Sequence, residues 1–241
     1  MTVPARRYAA TILALLGLLT LAVVPAGASS QRTYEVTITN LTSGQALTPP
    51  LIATHRGSTH LFQVGAAANS GTQQIAENGN VAPLMAGLAA DRGVWSVVAA
   101  GAPLVPEGTP MFGTFSDRVT LTIDAGPGAQ FLSHESMLIC TNDGFTGVDG
   151  LKLPRKVGRA RTVRTNGYDA FTELNTEDYA DIVPPCQGLI GDTSGEPGTG
   201  VSDPALAEGG VIAHHAGIAG GADLEPAIHG WTDPVAELTV V

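Results

Sequence analysis

The sequence predicts an all-β fold: one antiparallel β-sandwich domain with long Gly/Pro-rich loops. Three observations carry that expectation. The chain has 30 Gly and 16 Pro in 241 residues, which interrupts it too often for long amphipathic helices. Short segments with a hydrophobic period of two recur along its length. The turns between them are rich in Gly, Pro, Asn and Asp, the pattern of many short strands in a sandwich.

In chain order, Arg6 and Arg7 precede an uncharged apolar run from Tyr8 to Val24, then Pro25-Ala26-Gly27-Ala28. A basic segment, an apolar segment and a small-residue cleavage site form a secretory signal, so residues 1–28 are expected to be removed on export. The apolar run is short for a spanning helix, which needs roughly 20 apolar residues. The domain then occupies 29–241 and is expected to be secreted or held in the cell envelope. Its first strand is read at Tyr34–Thr39. Further strands are read at Val94–Val98, Val119–Ile123, Met137–Cys140, Val211–His214 and Ala236–Val240. Gln73–Glu77 and Ala82–Leu88 suggest single turns or short helices. Residues 189–209, with five Gly and two Pro, read as a mobile surface loop.

Charge narrows the partners. The chain has 12 Lys+Arg and 22 Asp+Glu. Two of the Arg lie in residues 1–28, leaving 10 cations against 22 acids, a net charge of −12 for the mature chain. Such an acidic chain lacks the counter-charge for nucleic acid or anionic lipid, and is compatible with cation binding. The only cysteines, Cys140 and Cys186, are expected to form one intrachain disulfide in an oxidising compartment.

Acids gather between Cys140 and Glu177. Asn142-Asp143-Gly144 follows a strand reading, and Asp149-Gly150 and Tyr168-Asp169-Ala170-Phe171-Thr172-Glu173 come after it. Calcium takes six to eight oxygens from carboxylates, carbonyls and water, and loops at one end of a sandwich can supply them. Asp-Gly is also a common turn dipeptide, so spacing alone leaves both readings open.

The runs Asn142–Leu151 and Tyr168–Glu173 resemble the signature of the spondin-N domain. So do the opening Tyr34–Asn40 and the closing His215–Glu225 and His229–Pro234. The resemblance spans essentially the whole mature chain. It implies a C2-like β-sandwich of extracellular, adhesion-type proteins, with a calcium ion held at one end by three carboxylates. Carried over position by position, these are Asp143, Asp169 and Glu173. Glu173 stands where the family usually has Asp, and Phe171 where it usually has Gly. Asp149 is a candidate extra ligand. The implied function is non-catalytic recognition of an extracellular glycan or protein, with no membrane insertion after signal cleavage.

Other signals are weaker. Gly191-Asp192-Thr193-Ser194-Gly195 departs from the protease nucleophile pattern by an inserted Thr. The alternative function is a metal-dependent hydrolase, which needs two or three of His55, His60, His134, His214, His215 and His229 to converge. His214 and His215, if on a strand, point to opposite faces. Trp231 is either a recognition aromatic or a core residue.

Overall fold

The computed structural model describes residues 31–241, so the expected signal peptide lies outside the described residues. Ten strands and four short helices follow one another as β1 (Arg32–Asn40), β2 (Leu51–His55), α1 (Ser70–Asn78), α2 (Ala82–Ala90), β3 (Val94–Ala99), β4 (Arg118–Ala125), β5 (Phe131–Met137), β6 (Gly144–Lys152), β7 (Arg161–Thr165), β8 (Gly167–Asp169), α3 (Pro185–Ile190), β9 (Ala213–His214), α4 (Pro226–His229) and β10 (Ala236–Val240). They build a four-stranded sheet in the order β4-β1-β10-β7 and a six-stranded sheet in the order β3-β2-β5-β6-β8-β9. Every pairing is antiparallel. The all-β sandwich expected from the sequence is what the chain forms.

Two cores flank the six-stranded sheet. Val36, Ile38, Leu238 and Val240 meet Ile52 and Leu132 between the sheets. On the other face, Leu51, Ala53, Met137 and Phe145 pack against Ile75 of α1, Leu84 and Leu88 of α2, and Leu189 of α3. The period of two in β2 thus sends Leu51 and Ala53 to one core and Ile52 to the other. A strand buried on both faces carries no polar alternation, which is why β2 escapes a pattern search.

Most strands fall where the sequence places them, with two shifts. The strand read at Met137–Cys140 ends at Met137, where Leu138 makes an isolated bridge to Leu47 and the chain turns. Its body is Phe131–Met137, masked in the sequence by the buried polar residues Ser133, His134, Glu135 and Ser136. The strand read at Val211–His214 shrinks to Ala213–His214. Both helical segments extend to nine residues. In α1 the Asn69 side chain caps the first turn by accepting from the backbone N–H of Gly71 and Thr72, and left-handed Gly79 (φ 63°) closes the last turn.

Cys140 and Cys186 form the expected disulfide. It ties α3 to the turn after β5, three residues before Asp143. No helix among the described residues is long and apolar enough to cross a membrane.

Candidate cation site at the β6–β8 end

Asp143 immediately precedes β6, and Asp169 is the last residue of β8. The two strands are antiparallel neighbours with Gly144 opposite Asp169. Strand pairing therefore brings both carboxylates to the same end of the sheet, and the backbone N–H of Ala170 closes the corner on the Asp143 carbonyl at 3.2 Å. Thr172 and Glu173 follow on the loop that leaves β8.

The Asp143 carboxylate is fully buried. Its Oδ2 accepts from the backbone N–H of Thr172 (2.6 Å), the backbone N–H of Glu173 (3.0 Å) and the Thr172 hydroxyl (3.2 Å). Its Oδ1 is buried with no hydrogen-bond partner. A buried acceptor left in that state is costly. Burial, together with the neighbouring Asp169 charge, pushes the Asp143 carboxyl up to about 7, against the partial relief of the loop N–H groups.

Asp169 accepts from the backbone N–H of Phe171 through Oδ1 (2.7 Å) and from the Asn175 side chain through Oδ2 (2.7 Å). Phe171 occupies the left-handed region (φ 52°). This is a conformation suited to glycine and uncommon for a bulky side chain. The backbone angle that glycine favours is thus held here by a phenylalanine.

Glu173 is nearly fully buried, and its Oε1 accepts from the backbone N–H of Asp203 at 2.8 Å. Burial is the main reason its carboxyl rises to about 7, with the charges of Glu77, Asp143 and Asp203 adding to it. Glu77, on α1, is a buried acid that sequence reasoning missed. It accepts from the Gln73 side chain (2.8 Å) and from the Ser202 hydroxyl. No helical periodicity marks it as inward-facing, because it is held by the 196–208 loop rather than by the apolar stripe. Among the described residues, no Lys or Arg pairs with Asp143, Asp169, Glu173 or Glu77.

The three predicted ligands come together in pairs rather than as one shell. Asp143 feels the charge of Asp169, and Glu173 feels that of Asp143. Their oxygens do not form a set lying within 4.8 Å of one another. Among the described residues the one set of three ligand-type atoms that does is Cys140, Cys186 and His229. Two of those atoms are joined in the disulfide. Asp143 Oδ1 is the oxygen of the cluster with no partner, and Glu173 uses Oε1 on the Asp203 N–H. The donor set of buried acids, with the unpartnered Asp143 Oδ1 beside Asp169 and with Glu173 as a further acid, fits a hard cation.

Asp149 lies elsewhere. Six residues along β6 separate it from Asp143, about 20 Å of strand. It is tied to the His60 ring (2.5 Å), the Leu61 backbone N–H (2.9 Å) and the Ser133 hydroxyl (3.1 Å). The histidines are likewise dispersed. His55 bonds Ser133 and the Arg56 carbonyl. His134 bonds the Leu51 carbonyl. His215 accepts from the Gly217 N–H and packs against Trp231 at 5.0 Å. His229 bonds the Tyr179 hydroxyl (2.8 Å). No two histidines share a metal-ligating group among the described residues. The contact between Ser133 and His55 (2.7 Å) has a nucleophile-like pairing, but both residues are fully buried and the hydroxyl also accepts from the Gly150 N–H.

The loop beyond β9 is clasped by Glu177. Its carboxylate accepts from the backbone N–H groups of Ala219, Gly220 and Gly221 at 2.6–2.7 Å. The Glu177 N–H in turn donates to Asn142 Oδ1 at 3.3 Å, next to Asp143.

No protein-family model matches this chain, and no curated protein matches it significantly.

Proposed function

We propose that the chain is an exported, calcium-binding recognition module of the spondin-N kind, a C2-like β-sandwich without catalytic activity. The observation that carries this reading is the buried, unpartnered Asp143 Oδ1 beside Asp169, in a cluster of buried acids with no cationic side chain. A hard divalent cation supplies the missing positive charge and takes carboxylate and carbonyl oxygens. Asp143 and Asp169 would hold it, with Glu173 as the third carboxylate. The chain's own part is to set these donors in place. The N–H groups of Thr172 and Glu173 aim the Asp143 carboxylate, and the Phe171 N–H and Asn175 amide fix Asp169. The disulfide and the Glu177 clasp hold the neighbouring loops, whose outer surfaces are free to meet an extracellular glycan or protein.

Thermal melting during calcium titration tests this directly. A ligand that binds only the native state stabilises it, by about 2.7 kcal/mol at one hundred times its Kd. The wild type should gain several degrees in Tm from calcium, while Asp143→Ala should gain none. Equal responses of the two proteins would overturn the reading.

A further inference from the structure

A second, cationic surface lies at the opposite end of β6. Six of the 12 Lys+Arg in the whole chain fall between Lys152 and Arg164, and no acid interrupts the sequence from Gly150 to Tyr168. Arg155, Lys156 and Arg159 are exposed and make no side-chain hydrogen bond or ion pair with any described residue. The β6–β7 connection folds them round a cavity of about 500 Å³ lined by Arg155, Lys156, Arg159 and Arg161. Arg161 is braced by donating to the Lys152 carbonyl at 2.9 Å.

A second cavity of about 530 Å³ adjoins the same two strands, lined by Phe62, Asp149, Arg164, Asn166 and Tyr168 among others. It exists because β6 and β7 belong to different sheets. β8 covers only Gly144–Thr146 of β6, and β7 pairs with β10 alone, so two strand edges face each other unpaired. The Tyr168 hydroxyl and the Asn166 amide make no hydrogen bond within the described residues. The Tyr168 ring lies against Phe62 at 5.5 Å, giving a part-exposed aromatic wall with free polar groups beside it.

From these two cavities we infer that the β6–β7 cleft binds an acidic polysaccharide, with its anionic substituents on Arg155, Lys156, Arg159 and Arg161 and a sugar ring beside Tyr168 and Asn166. Guanidinium groups match sulfate and carboxylate geometry. The concave lining and the aromatic wall suit a chain of rings better than a flat lipid surface. The negative net charge does not oppose this. Nine residues of β6, about 30 Å of strand, separate Lys152 from Asp143, so the cationic end at Arg155–Arg161 lies well beyond the Debye length of about 8 Å from that cluster. Asp149 lines the cavity at the Tyr168 end and Asp169 follows Tyr168, so the anionic substituents belong at the cationic end and an uncharged ring face at Tyr168.

The test uses the mature protein in EDTA, so that the calcium site plays no part. The probes are heparin, dextran, polyphosphate and phosphatidylglycerol vesicles. Heparin should bind and dextran should not. The heparin affinity should fall with salt with a log–log slope of about 3, for four cations at about 0.7 each. The exposed double variant K156A/R159A should lose at least about tenfold in heparin affinity and about 1.4 in slope. N166A should weaken heparin several-fold with the slope unchanged, and leave polyphosphate binding as in wild type. Both variants should melt within about 2 °C of wild type, since the side chains removed hold nothing. A wild-type salt slope in K156A/R159A overturns the inference. So does equal binding of polyphosphate and heparin with N166A silent, or binding to vesicles without binding to heparin.

Discussion

Asp143→Asn separates the electrostatic cost of the site from its ligand role. In the calcium-free protein the Asp143 carboxyl rises from 3.8 to about 7 through burial and the Asp169 charge. A shift of that size corresponds to on the order of 4 kcal/mol at pH 8, an upper bound because Asp169 shares the cost. The sign follows from proton linkage. Between pH 4 and pH 7 the folded protein holds a proton that the unfolded chain has lost, so stability falls as pH rises through this window. Below pH 4 the contribution is fully present, and above pH 7 it is gone. Asparagine mimics the protonated acid. Its oxygen can accept from the Thr172 and Glu173 N–H groups, and its amide can donate toward Asp169. Calcium-free Asp143→Asn should therefore be more stable than wild type at pH 8. A gain of about 2 kcal/mol gives roughly 4–8 °C in a domain of this size. The two proteins should converge near pH 4. Calcium should reverse the order at pH 8 by stabilising only the wild type. Differential scanning fluorimetry from pH 4 to 8, with EDTA and with calcium, reads all of this. A variant less stable than wild type at pH 8 in EDTA, or one that calcium stabilises as it does wild type, would rule out a strained, calcium-ligating Asp143.

Three further outcomes follow from the same geometry. Replacing both Cys140 and Cys186 by Ser releases a 46-residue separation, for which chain entropy gives about 4 kcal/mol. Chemical denaturation should show a loss of 2–4 kcal/mol, and calcium affinity should fall because the turn before Asp143 is freed. Glu177→Ala removes the acceptor of three backbone N–H groups, so hydrogen exchange at residues 219–221 should speed up at least tenfold while β1 and β10 stay protected. Glu135 is fully buried, with Oε2 unpartnered and its carboxyl pushed up to about 8, chiefly by desolvation. Its contribution is present below about pH 4.5 and is lost as pH rises to 8. Glu135→Gln should match wild type at low pH and exceed it at pH 9 in urea denaturation.

The legible parts of this fold are those with one buried face. β1, β4 and β10 alternate because their outer sides meet solvent. β2 and β5 lie between two cores, where Thr54, Ser133, His134 and Glu135 sit inside and the alternation disappears. β6 begins among Gly and Asp and therefore reads as turns. Asp143 and Asp169 were legible as acids beside strand-like runs. Their meeting depends on the β6–β8 register, which no local pattern encodes. Glu77 and Asp203 reach Glu173 through the packing of the 196–208 loop on α1, a contact over more than 90 residues. The basic cleft was hidden by the net charge, because a sum over the chain conceals where the cations gather.

Asp143 is expected to be a calcium ligand, and a structure of the mature protein soaked in calcium tests that expectation. An ion should lie about 2.3–2.6 Å from Asp143 Oδ1, with an Asp169 oxygen in the same shell. An ion held by two or more histidines, or none at Asp143 under saturating calcium, would contradict it.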